Sequence, residues 1–385
     1  MYFKSYEMEW PNSDVEEMLN QWMQSGSSWA LYRMPWADEC CWVCQYAAEV
    51  EELESVSLLT GKKGFVMAPF RPSSTRKLVL IQPDITAHGW TEIARVLAGS
   101  TPHQSAVSDR GRADGLQEAG PEVYRQAFGR FIQPLCEGRF SKLVLSRASE
   151  QPIPQNFSLL RAFVKACRRY PRMMVYLCHT PVTGTWMGST PEILLSGEGH
   201  GWHTVALAGT MPMQGEVMPT DWSLKNREEQ AYVARYIREV LSPYSSELTE
   251  EGPYTSRAGQ LVHLKSDFRF HLNHSEQLGE LLDALHPTPA VCGLPKQEAY
   301  DFILEHEGYD RRYYAGFVGW LNPEGHTDLY VNLRCMEVFP HRVRLYAGGG
   351  ILPQSSVASE WQETEEKMKT MLCLLESDEE AIYVS

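Results

Sequence analysis

The sequence predicts an α+β fold, with large antiparallel β-sheets flanked by helices. Three observations carry this. Short β-rich runs follow one another in hairpin-like succession, as in Met173 to Cys178 followed by Trp186 to Leu195. Amphipathic helical stretches occur singly between them and do not alternate strictly with strands, as a doubly wound βαβ array requires. The 385 residues are 43% hydrophobic, enough for a substantial core.

Residues 1–115 read as an N-terminal α/β region packed on the same fold. A helix-like opening (Val15 to Met23) precedes the strand-like runs Gly64 to Phe70 and Lys77 to Ile81. Residues 99–120 are polar and Gly/Ser-rich and read as a mobile linker or loop. Residues 116–376 carry the dense pattern. A helix from Glu122 to Glu137 leads into the strand Lys142 to Arg147, and a second helix (Leu159 to Tyr170) precedes Met173 to Cys178. The strand Thr204 to Ala208 ends at Gly209-Thr210, and a long helix follows from Asp221 to Leu241. Its apolar stripe runs through Val233, Tyr236, Ile237 and Val240 at helical spacing. Strands recur at Gln260–Asp267, Tyr314–Trp320, Asp328–Val338 and Arg342–Ala347. Residues 377–385 form an acidic tail.

The net charge of −14 and the lack of a Lys/Arg-rich run argue against nucleic acid as a partner. The polar opening has no apolar core of signal-peptide length, and no stretch is long enough to span a bilayer, so no membrane partner and a cytoplasmic location are expected. Nine scattered cysteines suggest reduced, buried thiols. Cys41-Trp42-Val43-Cys44 is a formal CxxC without a second pair, which is a weak metal or redox signal.

Chemistry gathers on two helices. In the stretch from Ile351 to Leu375, Ser355, Ser356 and Ser359 offer N-cap oxygens. At about 100° per residue, Glu360, Glu363, Thr364, Lys367, Met371 and Leu374 share one side. Glu229 sits inside the apolar stripe of the 221–241 helix, with Lys225 one turn earlier and Glu228 off the face. Buried charges must be paired or bound to a metal. Plain pairing, Glu363 with Lys367 and Glu229 with Lys225, is one reading. A hard cation held by the acids is the other. Lys142 opens an apolar strand, either as an ordinary edge lysine or as a desolvated base. Glu192 follows Pro191 in an apolar segment; burial there would raise its pKa and let it donate a proton. Arg334 in an apolar run suggests a carboxylate partner. Gly348-Gly349-Gly350 could bring backbone N–H groups to an anion.

In order, the segments KLVLSR (142–147), GSTPEILL (188–195), ALAGT (206–210), KNREEQ (225–230), HLKS (263–266), LHPTPAVCGLP (285–295), YAGFVGW (314–320), LYVNLRC (329–335), YAGGGI (346–351) and EWQETEEK (360–367) resemble the chorismate-utilising enzymes. That family includes the isochorismate, salicylate, anthranilate and aminodeoxychorismate synthases. The resemblance implies the anthranilate synthase component I-like fold. Lys142 stands where the isochorismate and salicylate branches place a water-activating lysine and the other two place glutamine. Ala208 stands where aminodeoxychorismate synthases carry a nucleophilic lysine. The resemblance therefore implies Mg²⁺-dependent conversion of chorismate to isochorismate. Salicylate synthase is the alternative, followed by anthranilate synthase component I and then a silent chorismate-binding relative. It further implies Lys142 as base and Glu192 as acid, with Mg²⁺ on Glu229, Glu363 and Glu360. Arg334, Lys367, Gly209, Gly348 and Gly350 would hold the substrate carboxylates, beside Thr210, with His263 and Ala290 lining the ring. A monomer without a glutaminase subunit is expected. Many relatives have Glu-His where this chain has Glu229-Gln230, a departure that bears on the metal.

Overall fold

The computed structural model describes residues 8–11, 13–47, 49–102, 120–213 and 215–376. Most of the 99–120 stretch and the tail beyond residue 376 lie outside these. Two nine-stranded sheets, antiparallel throughout, face each other across the principal hydrophobic core. Tyr176, Trp186 and Tyr346 from one sheet and Phe65, Leu194 and Phe268 from the other fill that layer. Three N-terminal strands (Ser28–Arg33, Cys41–Gln45, Ile85–His88) complete one end of the first sheet. Three more (Glu51–Leu53, Gly64–Ala68, Leu78–Ile81) complete one end of the second. The N-terminal residues thus extend both sheets.

On its outer face the first sheet carries the helices Ser13–Gln24, Gly89–Ala98 and Leu159–Arg169 and the end of Val357–Leu372. Trp22, Trp29 and Trp42 anchor this second core: Trp29 stacks on Trp42 at 5.4 Å and Trp22 meets it edge-on at 5.8 Å. The helix Leu224–Leu241 is capped by Ser223, whose hydroxyl accepts from Asn226 N–H, and buries Val233, Ile237 and Leu241.

Two of the crossings between the sheets lie near the middle of both. The chain passes from Gly184–Thr190 in the first sheet through Pro191-Glu192 to Ile193–Glu198 in the second. It returns from Thr327–Val331 in the second through 332–334 to Cys335–Val338 in the first. This corrects two expectations. The expected hairpin forms, Met174–Thr180 pairing with Gly184–Thr190, but Trp186 to Leu195 is not one return strand, since it leaves the first sheet at Pro191. Asp328 to Val338 is not one strand, because Arg334 adopts φ 45° and breaks it. A strand that changes sheets stays buried through the junction, so its apolar run shows no interruption in sequence. The edge strand Ser245–Ala258 also escaped the reading. Its residues are mostly exposed and polar, as a protected sheet edge requires.

Cys41 and Cys44 lie three apart in one strand and so point to opposite faces, which removes the CxxC as a chelate. All nine cysteines are free thiols. Among the described residues, no helix is long and apolar enough to cross a membrane.

Candidate active site

A narrow cleft opens where the two crossings pass. Glu192, Gly209, Thr210, Glu229, His263, Ala290, Arg334, Gly348, Gly350 and Lys367 all line it. Lys142, Glu360 and Glu363 stand directly behind that lining, through contacts with its members.

Strand pairing sets the floor. Lys142–Pro152 and Arg342–Ile351 run antiparallel, with Gly350 opposite Val144 and Gly348 opposite Ser146. The three glycines have a steric reason. A Cβ on Gly350 would overlap Glu229 Oε1 and meet Lys142 Cε at 2.9 Å. A Cβ on Gly349 would lie 3.2 Å from both Glu360 Oε2 and Glu363 Oε1. Gly349 and Gly350 therefore make room for the three acids, which two helices deliver from above. Gly209 has φ 73° at a bulge between Ala208 and Thr210, and its Cβ position abuts Asn226 on the long helix.

Each acid carries one ammonium. Lys142, wholly buried, places Nζ 3.2 Å from Glu229 Oε1, without hydrogen-bond geometry. Lys225 Nζ donates to Glu360 Oε1 at 2.5 Å. Lys367 Nζ donates to Glu363 Oε1 at 2.6 Å and to the Gly348 carbonyl at 2.8 Å. The Lys225–Glu229 pairing suggested by helical spacing is thus replaced by Lys225–Glu360, because the second helix approaches more closely than the neighbouring turn. Glu228 is exposed, as its position on the helix implies.

Burial and the adjacent Glu363 raise the pKa of Glu360. For Glu363 burial pulls the same way, but Lys367 and Lys225 outweigh it and hold the carboxylate below its usual range. Glu360 Oε2 is buried without a hydrogen-bond partner. That orphaned oxygen and Glu363 Oε1 converge above Gly349, an all-oxygen donor set suited to a hard cation. Among the described residues, no three His, Cys, Asp or Glu side chains form a ready cage. Mg²⁺, which keeps water and substrate ligands, does not require one.

Glu192 is 3% exposed, and burial pushes its pKa up to about 7 against the pull of Lys142, Lys367 and Arg334. The Thr288 hydroxyl donates to its Oε1 at 3.5 Å. Arg334 Nη2 donates to His263 Nε2 at 2.8 Å, so His263 is neutral, and its Nδ1–H donates to the Gly209 carbonyl at 2.9 Å. Burial and Arg334 hold its pKa well below the usual histidine value.

Gln230 turns away from the acids and donates to Ser266 Oγ at 2.9 Å, tying the long helix to the strand Leu261–Leu272. Sequence reasoning missed Tyr314 and Tyr346, stacked at 5.4 Å in the cleft wall, and Thr288. Tyr346 in a strand and Tyr314 in the turn before one sit in apolar runs, where an aromatic residue carries no signal that separates lining from core. Thr288 lay within a recognised segment, but nothing local aims it at Glu192.

Residues 79–376 match the family model described as chorismate binding enzyme. Over 207 residues the chain is 38% identical to the isochorismate synthase EntC of Escherichia coli (strain K12), covering 51% of this chain and 53% of EntC. It thus spans about half the length of that relative. Over 268 residues it is 32% identical to the isochorismate synthase DhbC of Bacillus subtilis (strain 168), covering 66% and 67%. The fold matches MenF, the menaquinone-specific isochorismate synthase of Escherichia coli, with a TM-score of 0.76 at 21% identity over 96% of this chain and 92% of that one. Anthranilate synthase component I of Streptococcus pneumoniae gives 0.66 at 16% identity, covering 89% of each. With its two facing antiparallel sheets, and a family match that takes in the whole cleft, this chain belongs to the chorismate binding enzymes.

Proposed function

We propose that this chain isomerises chorismate to isochorismate, adding water at ring carbon 2 and releasing hydroxide, protonated to water, from ring carbon 4. One observation carries the reading. A buried amine without a hydrogen-bond partner (Lys142) and a buried carboxyl with a pKa near 7 (Glu192) serve the same cleft. They supply a base and an acid for one displacement.

Lys142 takes a proton from the attacking water. Glu192, half protonated near neutral pH, delivers one to the departing oxygen. Each step contributes about 10²–10⁴-fold. Arg334, Lys367 and the backbone at Gly209, Gly348 and Gly350 hold the two carboxylates of chorismate, while Ala290 and His263 wall the ring. Glu229, Glu363 and Glu360 would hold Mg²⁺, whose charge, when bound, draws electron density from the ring and favours the displacement. The names of EntC, DhbC and MenF support this branch. The product would feed menaquinone or catechol siderophore synthesis, from a cytoplasmic monomer that needs no glutaminase subunit.

The test is incubation of purified protein with chorismate and Mg²⁺, with products resolved by chromatography. Isochorismate is the expected product. Enzymatic salicylate with pyruvate would move the chain to the salicylate branch. Unchanged chorismate would overturn the proposal.

A further inference from the structure

The segment 286–295 is a ten-residue strap between the helices Leu278–Leu285 and Lys296–His306. It lies along the strand that begins at Lys142. Val144 N–H donates to the Cys292 carbonyl at 2.7 Å and Ser141 N–H to the Leu294 carbonyl at 3.0 Å. Arg311 donates to the Val291 carbonyl at 2.7 Å. At the other end of the strap, Thr288 accepts at its carbonyl from Val291 and Cys292 N–H, both at 3.0 Å, in a tight turn. This turn presents Ala290 to the cleft and the Thr288 hydroxyl to Glu192.

Lys296 closes the strap. It is the first residue of the second helix, yet its Nζ reaches back to the end of the first. It donates to the carbonyls of Ala284 at 2.7 Å and His286 at 2.8 Å, and lies 3.4 Å from that of Asp283. These are carbonyls that a helix C-terminus leaves unsatisfied, and a cation there also meets the negative end of the helix dipole. Tyr236 donates to the same Ala284 carbonyl at 2.8 Å, and its ring stands 5.7 Å from Nζ. One ammonium therefore ties residue 296 to residues 284 and 286 and holds both ends of the strap together.

We propose that Lys296 is a positioning residue for the acid: by closing the 286–295 strap, it sets the hydrogen bond from Thr288 to Glu192. The inference rests on Glu192 acting in the proposed reaction. The hydroxyl is placed at 3.5 Å, the outer limit of a hydrogen bond, so small movements of the turn make or break it. Glu192 also faces Lys142, Lys367 and Arg334, none of which the strap carries. Lys296 itself faces Cys292 and Asp283. The strap thus controls one of the groups around the acid and leaves the cations in place.

Two measurements on the full-length chain decide it. In Lys296→Met, hydrogen exchange at Val291 and Cys292 should rise about tenfold or more, while the Arg342–Ile351 strand keeps its protection; Lys296→Arg should restore it. Unchanged exchange at those two amides overturns the proposal, whatever the reaction. In the kinetic arm, Lys296→Met and Thr288→Val should each lower kcat/KM by roughly 10- to 100-fold, mainly in kcat. The double variant should be no worse than the more damaging single one. A lysine that only stabilises the fold would give additive losses, and that result also overturns the proposal. If the wild-type chain leaves chorismate unchanged, the functional reading fails, and the exchange arm still decides whether Lys296 holds the strap.

Discussion

Arg334 accepts at its carbonyl the backbone N–H of Ser189, at 3.0 Å. Beside it, the Glu192 carbonyl accepts from Val331 N–H at 2.9 Å. The two sheet crossings are thus bonded to each other through the residues that flank the acid and the guanidinium. Neither backbone segment can shift without the other. The reacting groups are held by the sheets themselves, not by surface loops.

Lys142→Ala removes the proposed base from a fully buried position. Turnover of chorismate, followed by chromatography, should fall by about 10²–10⁴-fold, with far-UV circular dichroism unchanged. Full turnover would show that the base lies elsewhere.

Glu363→Gln keeps the shape of the side chain but removes the charge that Lys367 and Lys225 sustain. The Mg²⁺ concentration giving half-maximal rate should rise at least about tenfold. Direct Mg²⁺ titration by calorimetry should weaken to match. A wild-type titration curve would remove Glu363 from the metal site.

Glu192 must be protonated to act as an acid, so kcat/KM should decline as pH rises through about 7. Stability carries the same sign. The folded pKa lies above the unfolded one, so this group's contribution is complete below about pH 4.5 and is lost as pH rises through about 7. The span is on the order of 3 kcal/mol. Urea melts of Glu192→Gln should show that loss removed; a parallel pH dependence in wild type and variant would count against the assignment.

Arg147 fastens the helix Val357–Leu372 to the sheet. It donates to Thr364 Oγ1 at 2.7 Å, pairs with Glu365 and lies 3.8 Å over the Trp361 ring. Arg147→Met should cost about 2–4 kcal/mol in urea denaturation, and should weaken Mg²⁺ binding because Glu360 and Glu363 ride on that helix. Equal stability of the two proteins would contradict this.

Gln230→His should leave turnover and the Mg²⁺ requirement within about twofold, because the side chain bonds Ser266 and not the acids. A large shift in the Mg²⁺ titration would show that this position does tune the metal.

Much of this site was legible in the sequence. Glu192, Glu229 and Arg334 stand out because a charge inside an apolar run demands a partner. The cap of the 357–372 helix was legible too: Ser356 accepts from Ser359 N–H as its spacing implies. The partners were not legible. Helical spacing brings Lys225 next to Glu229, whereas only tertiary packing brings it to Glu360. The crossings were hidden for a related reason, since local pattern reports burial and not which sheet supplies it. The glycine run was read as a place where backbone N–H groups meet an anion; the fold adds that Gly349 and Gly350 clear space for carboxylates of the protein itself.

The order of strands has a consequence for how far this protein can be altered. In both sheets the strands that flank Glu192 and Arg334 sit near the middle, while the six N-terminal strands occupy one end of each. Shortening the chain from its N-terminal side would leave Glu192 and Arg334 in place but bare two flat edges at once, one per sheet, each ready to pair with a neighbouring molecule. Such a truncation would fail by self-association before it failed in catalysis, and new sequence is better tolerated in the turns between those outer strands than at the two junctions that carry Glu192 and Arg334.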